Sequence, residues 1–159
     1  MSMESARAHL AALGRDGDIL VAQTSTATVA LAAAAFGTPP ERIAKTLAIY
    51  GQEDAAILIV AAGDARLDNK KFKLRFGFKP RMLGGQDTLR LTSHEPGGVC
   101  PFGVPQTAQV YLDLSLKRFE SVFPACGSAN SAIKLTLPEL EQYSGNSGWV
   151  DVCKIPDGD

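Results

Sequence analysis

Apolar residues recur along the chain with two different spacings, and the spacing changes near residue 43. Before that point, Ala6, Leu10 and Leu13 recur at helical intervals within residues 3–13, and Gly14 supplies a stop. A short apolar piece at residues 19–22 follows. The Ala-rich stretch 27–36 then predicts a second helix, with Thr24, Ser25 or Thr26 available as its cap and Gly37 at its end. Thr38-Pro-Pro-Glu41 has the spacing of a capping box with proline at the first helical position, which predicts one more helical turn. From residue 43 the period shortens to two. Ile43, Leu47 and Ile49 fall on one side of an extended chain, and Ala44, Thr46, Ala48 and Tyr50 fall on the other. Residues 55–62 (AAILIVAA) read as a second, more buried strand.

Further along, Asp68 caps a predicted short helix through Arg75, closed by Gly77, with Phe72 and Phe76 as its i,i+4 apolar pair. Residues 87–93 predict another helix after Gly84-Gly85. Residues 109–114, 121–125 and 132–137 read as strands, 138–143 as a short helix, and 149–154 as a last strand. The tail at 156–159 is acidic and expected to fray. Six or seven short strands with helices between them leave few crossovers long enough for parallel pairing. The expected fold is therefore α/β (α+β): a mixed, mostly antiparallel sheet curled around a core. No repeat or linker divides the chain, so residues 1–159 are expected to form one domain with its core at about 20–154.

Composition narrows the function classes. The 159 residues are 45% apolar and carry 16 Lys+Arg against 17 Asp+Glu, so a wholesale basic nucleic-acid binder is excluded while a local basic patch is not. Cys100, Cys126 and Cys153 are odd in number and form no CxxC pair, which argues against a disulfide scaffold or a thiolate zinc knuckle. The longest apolar runs fall far short of the roughly 20 residues of a membrane span. Without a recognisable signal peptide, the expected location is the cytoplasm.

Four features carry candidate chemistry. As a strand residue, Lys45 shares the side of Ile43, Leu47 and Ile49, where an ammonium is costly unless it snorkels, pairs or faces a cleft. The alternative is a helix in which Glu41 and Lys45 form a solvated i,i+4 pair. Glu95-Pro-Gly-Gly-Val-Cys-Pro-Phe-Gly103 describes a tight loop whose backbone N–H groups can approach a phosphate, a ribose or an oxyanion, or simply a stiff connection. Ala125-Cys-Gly-Ser128, extended by Asn130 and Ser131, is a polar corner between strands. Finally, Lys70, Lys71, Lys73, Arg75, Lys79 and Arg81 place six cations in twelve residues without an intervening acid: a solvated face or a footprint for a phosphate backbone. His9 and His94 have no partners at metal-ligand spacing, and Cys100 with His94 as base is a further, weaker nucleophile arrangement.

Together the segments Ile43-Ala-Lys-Thr-Leu47, Gly63-Asp-Ala-Arg-Leu-Asp68, Gly97-Gly-Val-Cys-Pro-Phe-Gly103, Val110-Tyr-Leu-Asp113 and Gly127-Ser128 resemble, in order, the YbaK family. That family is similar to the inserted editing domain of bacterial prolyl-tRNA synthetases. The resemblance covers about residues 20–145. It implies a strongly bent sheet and metal-independent hydrolysis of mischarged aminoacyl-tRNA, with no cofactor. The family's lysine falls on Lys45 and its GxxxP loop on Gly97 to Pro101, which implies catalytic roles for Lys45, Gly97 and Gly98. Thr46, Val99, Cys100 and Pro101 would then surround the substrate, with Phe102 and Gly103 closing the loop. Gly127, Ser128 and Asn130 would complete the amino-acid pocket.

The expected substrate is tRNA(Pro) carrying a small non-cognate residue (Ala, Ser, Thr or Cys), and prolyl-tRNA synthetase is a candidate partner. The alternative is a non-catalytic adaptor of the same fold that binds tRNA or a synthetase. On the expectation of a tRNA substrate the cationic stretch 70–81, which by itself reads equally as a solvated face, would hold the acceptor stem, with Lys70, Lys71, Lys73 and Arg75 as the tRNA-binding residues; this is not a rule of the family.

Overall fold

The two apolar runs read as strands pair with each other into a long antiparallel hairpin, and the rest of the molecule is arranged around it. The structure is a computed structural model, and it describes residues 2–156. In chain order its elements are helix α1 (Ser2–Ala11), strand β1 (Leu20–Val21), α2 (Val29–Phe36), β2 (Ile43–Tyr50), β3 (Ala56–Ala62) and β4 (Arg66–Leu67). Then come α3 (Asn69–Phe76), α4 (Gly85–Thr92), β5 (Gln109–Asp113), β6 (Ser121–Pro124), β7 (Ser131–Ala132), β8 (Leu135–Thr136), α5 (Leu137–Tyr143), β9 (Trp149–Val150) and β10 (Cys153–Lys154). Three short 3-10 turns, at Asp16–Asp18, Pro40–Arg42 and Leu114–Arg118, link them.

Six strands form a mixed, curled half-barrel sheet in the order β8-β6-β2-β3-β5-β9. The antiparallel pairs are β2·β3 and β6·β8, whereas β2·β6, β3·β5 and β5·β9 run parallel. Two antiparallel two-stranded ladders, β1·β7 and β4·β10, flank the sheet. The parallel pairings exceed what the crossover lengths led one to expect, because the long connections after β3 and β5 carry the chain back to the same end. Every residue of β3 is buried, as a strand inside parallel and antiparallel neighbours must be. One apolar cluster runs from Ala6 and Leu10 on α1 through β3 to Val152 and Cys153, and a smaller one joins Ala32, Ala33, Ile43 and Phe123.

Local chemistry sets the helix ends. Asp68 caps α3 by accepting from the N–H groups of Lys70 and Lys71, and Gly77 ends it in the left-handed conformation. Phe72 and Phe76 stack on its inner face at 4.6 Å between centroids. The cap of α2 is Thr28, whose hydroxyl accepts from Leu31 N–H, not one of the earlier hydroxyl residues. Pro40–Arg42 does make a helical turn, but without the side-chain cap its spacing suggested. The capping box forms instead at α5, between Thr136 and Glu139. The single strands expected at 132–137 and 149–154 are each broken into two, and the acidic tail beyond residue 156 lies outside the described residues.

Candidate active site

The period-two reading of residues 43–49 holds, and it settles Lys45. Lys45 sits on β2 opposite Ala61, so the helical Glu41–Lys45 pair does not form. Its ammonium donates to the backbone oxygen of Gly63 at 3.2 Å and to that of Ala65. Burial lowers the Lys45 pKa from the ordinary lysine value of 10.5, and the nearby field of Asp64 works in the opposite direction. Two of its three donors are taken by carbonyls.

The carbonyl cradle is itself braced. Asp64, between the two acceptors, forms a bidentate pair with Arg118 at 3.0 and 2.5 Å, and Arg118 also donates to Ser115 O. The Ser115 hydroxyl accepts from Ala62 N–H at 3.1 Å. Gly63 has no room for a side chain, because a β-carbon there would run into the Pro40 carbonyl and Val29. Only the carbonyls of this segment touch the ammonium, so no side-chain pattern announces them.

Lys45 opens onto a cleft of about 170 Å³. Its walls are the start of α2 and the segment before it (Thr26, Ala27, Thr28, Val29), β2 with Thr46, the loop residues Gly97 and Val99, and Phe123, Ala125 and Ser131 on the far side. Among the described residues that line it, Lys45 is the only ionisable one. The wall is otherwise apolar and small, with a few hydroxyls.

Two of the glycines are fixed by geometry. Gly97 adopts φ +92°, a left-handed conformation that favours glycine, and forms part of the cleft. Gly98 is buried, and a β-carbon on it would lie 2.7 Å from Ser128 N and 2.8 Å from Gly127 C. The loop and the 125–131 corner thus meet backbone to backbone, and Gly98 makes that approach possible.

The remaining expected pocket residues lie behind the walls. Gly127 (φ +88°) turns the corner. Ser128 Oγ lies 2.8 Å from Asn130 Oδ1 and 2.7 Å from Ser131 Oγ, and Asn130 Nδ2 donates to Ala22 O at 3.1 Å. These polar groups hold the corner to the segment before α2, where Thr26 N–H donates to Ala129 O. Cys100, Pro101 and Phe102 are buried beneath the loop. Gly103 lies under α1, donating its N–H to His9 Nδ1 at 3.0 Å, while His9 Nε2 bonds Tyr143 O at 2.7 Å.

The Cys100–His94 arrangement is not a nucleophile and its base. Both are fully buried, Cys100 Sγ is 3.5 Å from His94 Nε2, and that nitrogen is 2.7 Å from Phe102 O. Burial pushes the Cys100 thiol up to about 12, opposite to what a reactive thiolate needs.

The cations of α3 do not line the cleft. Lys71 is drawn to Asp151 at 3.1 Å and to Cys153 O at 3.0 Å, and the Arg75 guanidinium lies over the rings of Phe76 and Tyr111. Lys70 and Lys73 are exposed.

A curled mixed sheet with a lysine at its cleft and a glycine loop facing it defines a class of protein. The chain belongs to the aminoacyl-tRNA editing domain family, YbaK-like, whose sequence profile matches residues 23–143. It is 54% identical over 154 residues, 97% of this chain and 98% of the other, to the uncharacterized protein YwhH of Bacillus subtilis (strain 168). Among solved structures it is similar to a protein provisionally described as a trans-editing enzyme for prolyl tRNA synthetase, with 28% identity, a TM-score of 0.85 and coverage of 96% of this chain and 97% of that one. It is also similar to the hypothetical protein APE2540, with 29% identity, a TM-score of 0.76 and coverage of 86% and 90%. Among the described residues no helix is long and apolar enough to cross a membrane.

Proposed function

We propose that this chain is a trans-editing hydrolase that removes a small non-cognate amino acid (Ala, Ser, Thr or Cys) from mischarged tRNA(Pro) in the cytoplasm. The observation that carries the reading is the placement of Lys45: the one ionisable side chain lining the cleft, pinned by two carbonyls and sharing that cleft with Gly97. The family membership and the likeness to the trans-editing structure support it.

The scissile bond is an ester between the aminoacyl carbonyl carbon and a hydroxyl oxygen of the terminal ribose, already activated relative to an amide. Water adds to the carbonyl carbon, the carbonyl oxygen takes the negative charge, and collapse of the adduct breaks the C–O bond. The ribose oxygen leaves with a proton, giving a free amino acid and uncharged tRNA. Among the described residues no carboxylate, imidazole or thiol lines the walls, so the chain's contribution is orientation and charge stabilisation. The third N–H of Lys45 meets the developing oxyanion or the adjoining phosphate, and the 97–98 backbone fixes the reacting end. Small apolar walls accept an alanyl-sized side chain. A pocket separates neighbours in size by only about 1–3 kcal/mol per methylene, and this is why a synthetase needs a second sieve of this kind.

The test is a deacylation panel: tRNA(Pro) charged with Ala, Ser, Thr, Cys or Pro, beside correctly charged Ala-, Ser-, Thr- and Cys-tRNA. The reading expects fast release of one small residue from tRNA(Pro), with Pro-tRNA spared. No hydrolysis of any of these by the wild-type chain would replace it with a binding adaptor of the same fold.

A further inference from the structure

The ladder beside the Lys45 cradle breaks a rule of strand pairing. In β4·β10, Arg66 and Lys154 are directly opposite one another, both exposed, so two cations share one face with their β-carbons roughly 5 Å apart. Like charges at that position destabilise a sheet unless something between them is negative. Among the described residues neither Arg66 nor Lys154 closes an ion pair with an acid. The Asp68 charge reaches Lys154, but its carboxylate is spent on the α3 N–H groups and does not lie between the two cations, and the other acids nearby are engaged elsewhere. Asp64 is held by Arg118, Asp68 accepts the N–H groups of Lys70 and Lys71, Asp151 pairs with Lys71, and Asp113 accepts from Ser115 and Val152 N–H.

The position of this pair matters as much as its charge. Ala65, whose carbonyl holds the Lys45 ammonium, is the residue before Arg66. Gly63, which holds it too, packs against Val29 of the cleft wall. Arg66 thus follows directly on a residue whose carbonyl holds Lys45, and Lys154 faces it across the ladder. The exposed cations of α3, Lys70 and Lys73, lie beyond them along the chain from the cradle.

We propose that Arg66 and Lys154 form a phosphate clamp for the single-stranded 3′ end of the RNA whose terminal ester enters the cleft. This rests on the reading of the cleft as an aminoacyl-ester site and adds to it the path by which the RNA arrives. The clamp is electrostatic and sequence-independent, and the phosphodiester between the two cations relieves their repulsion.

The experiment measures binding of an uncharged acceptor-stem minihelix with a single-stranded 3′ overhang, and of the same duplex made blunt, across 50–200 mM salt. The proteins are the wild type, Arg66→Gln/Lys154→Gln, Lys154→Glu and Lys70→Gln/Lys73→Gln. Loss of two single-strand phosphate contacts lowers the salt slope by about 1.4, so the affinity gap to the wild type narrows by roughly sevenfold across that range. The blunt duplex, lacking the strand that the clamp holds, shows no such gap. Lys154→Glu creates an attractive pair with Arg66, so it binds the overhang weakly while its Tm is held or raised, which separates lost binding from lost folding. Unchanged slope and affinity in the Arg66/Lys154 variant, loss confined to the α3 variant, or no overhang binding by the wild type would each overturn the clamp. A wild type that binds the overhang through these residues yet hydrolyses no ester leaves the clamp standing and removes the proposed activity instead.

Discussion

Replacing Gly98 by alanine tests whether the cleft depends on the backbone-to-backbone seam beneath it. The new β-carbon would lie 2.7 Å from Ser128 N, against the 3.4 Å at which ordinary contact begins. The other nearest atoms, Gly127 C and Ser128 Cα, are at 2.8 Å and are also backbone, so no side chain can rotate out of the way. The seam must open by several tenths of an ångström. The 125–131 corner resists, being tied to residues 22–26 by Asn130 and by the Thr26 N–H. Overpacking of this kind costs about 1–3 kcal/mol. For a chain of this size that corresponds to a fall in Tm of about 2–12 °C. Gly97 and Ser131 lie on the two walls that the seam joins, so the same opening misplaces the reacting end, and a shift approaching 1 Å can cost ~10²-fold in rate. Thermal unfolding and single-turnover deacylation of the responsive tRNA from the panel read the two effects. Wild-type Tm together with wild-type hydrolysis in Gly98→Ala would refute the argument that the seam sets the cleft.

Other perturbations have equally definite expectations. Lys45→Met should lower hydrolysis by ~10²–10³-fold while RNA binding is largely kept, if, as proposed, the ammonium stabilises charge at the reacting end; full activity in the variant would exclude that role. The depressed pKa of Lys45 also gives a signed stability effect: between its folded value and 10.5 the unfolded chain binds more protons, so wild-type stability relative to Lys45→Met should rise with pH in that window. Urea unfolding of both proteins from pH 7 to 10.5 checks this, and a difference that falls or stays flat contradicts it. Cys100→Ala should retain hydrolysis, and iodoacetamide should label Cys100 of the folded protein far more slowly than that of the urea-unfolded chain, since the thiol is buried and pushed up to about 12. Asp113→Ala should destabilise by about 2–4 kcal/mol, because the Ser115 and Val152 N–H groups, each 2.9 Å from its carboxylate, lose their buried acceptor; a variant melting with the wild type would show that water replaces it.

What the sequence disclosed follows from the range of the interactions involved. The α3 helix was legible end to end because Asp68, the Phe72–Phe76 pair and Gly77 all act within one or two turns. The cap of α2 was misplaced because Thr24, Ser25, Thr26 and Thr28 offer the same hydroxyl chemistry, and tertiary contacts choose among them: Thr26 is drawn to Ala129, leaving Thr28 at the helix. The strands at 132–137 and 149–154 were read as continuous because a side chain that replaces a ladder bond is invisible in a hydrophobic pattern. Asp113 takes the Val152 N–H and separates β9 from β10, while between β7 and β8 the Ile133 N–H bonds Pro124 O in the register of β6·β8, but Pro124 has no N–H to return the bond. Lys45 stood out because an ammonium in an apolar alternation is costly. Its partners did not, since Gly63 and Ala65 act through carbonyls. Gly127, Ser128 and Asn130 do not line the cleft themselves; they shape the wall that Ser131 and Ala125 present, an arrangement of the turn that no local pattern reveals.

The departures from local rules gather around one place. A half-buried ammonium, a left-handed Gly97, a Gly98 seam without space for a methyl group and a like-charged cross-strand pair are each unfavourable or restrictive for folding alone. The first three line or underlie the cleft, and the fourth begins at the residue after the Gly63–Ala65 cradle. Well-optimised chains keep local preference and fold in agreement, and exceptions concentrate where another molecule must be accommodated. Each exception here has a counterpart in a charged RNA end. On the proposed function, the ammonium would meet a developing oxyanion or phosphate, the glycines would admit a ribose and its ester closely, and the paired cations would meet the backbone that follows. Apolar replacements at these points would relax the fold and remove the features that recognise such a ligand. The arrangement is thus the one the proposed function requires, and the stability of the sheet alone gives no reason for it.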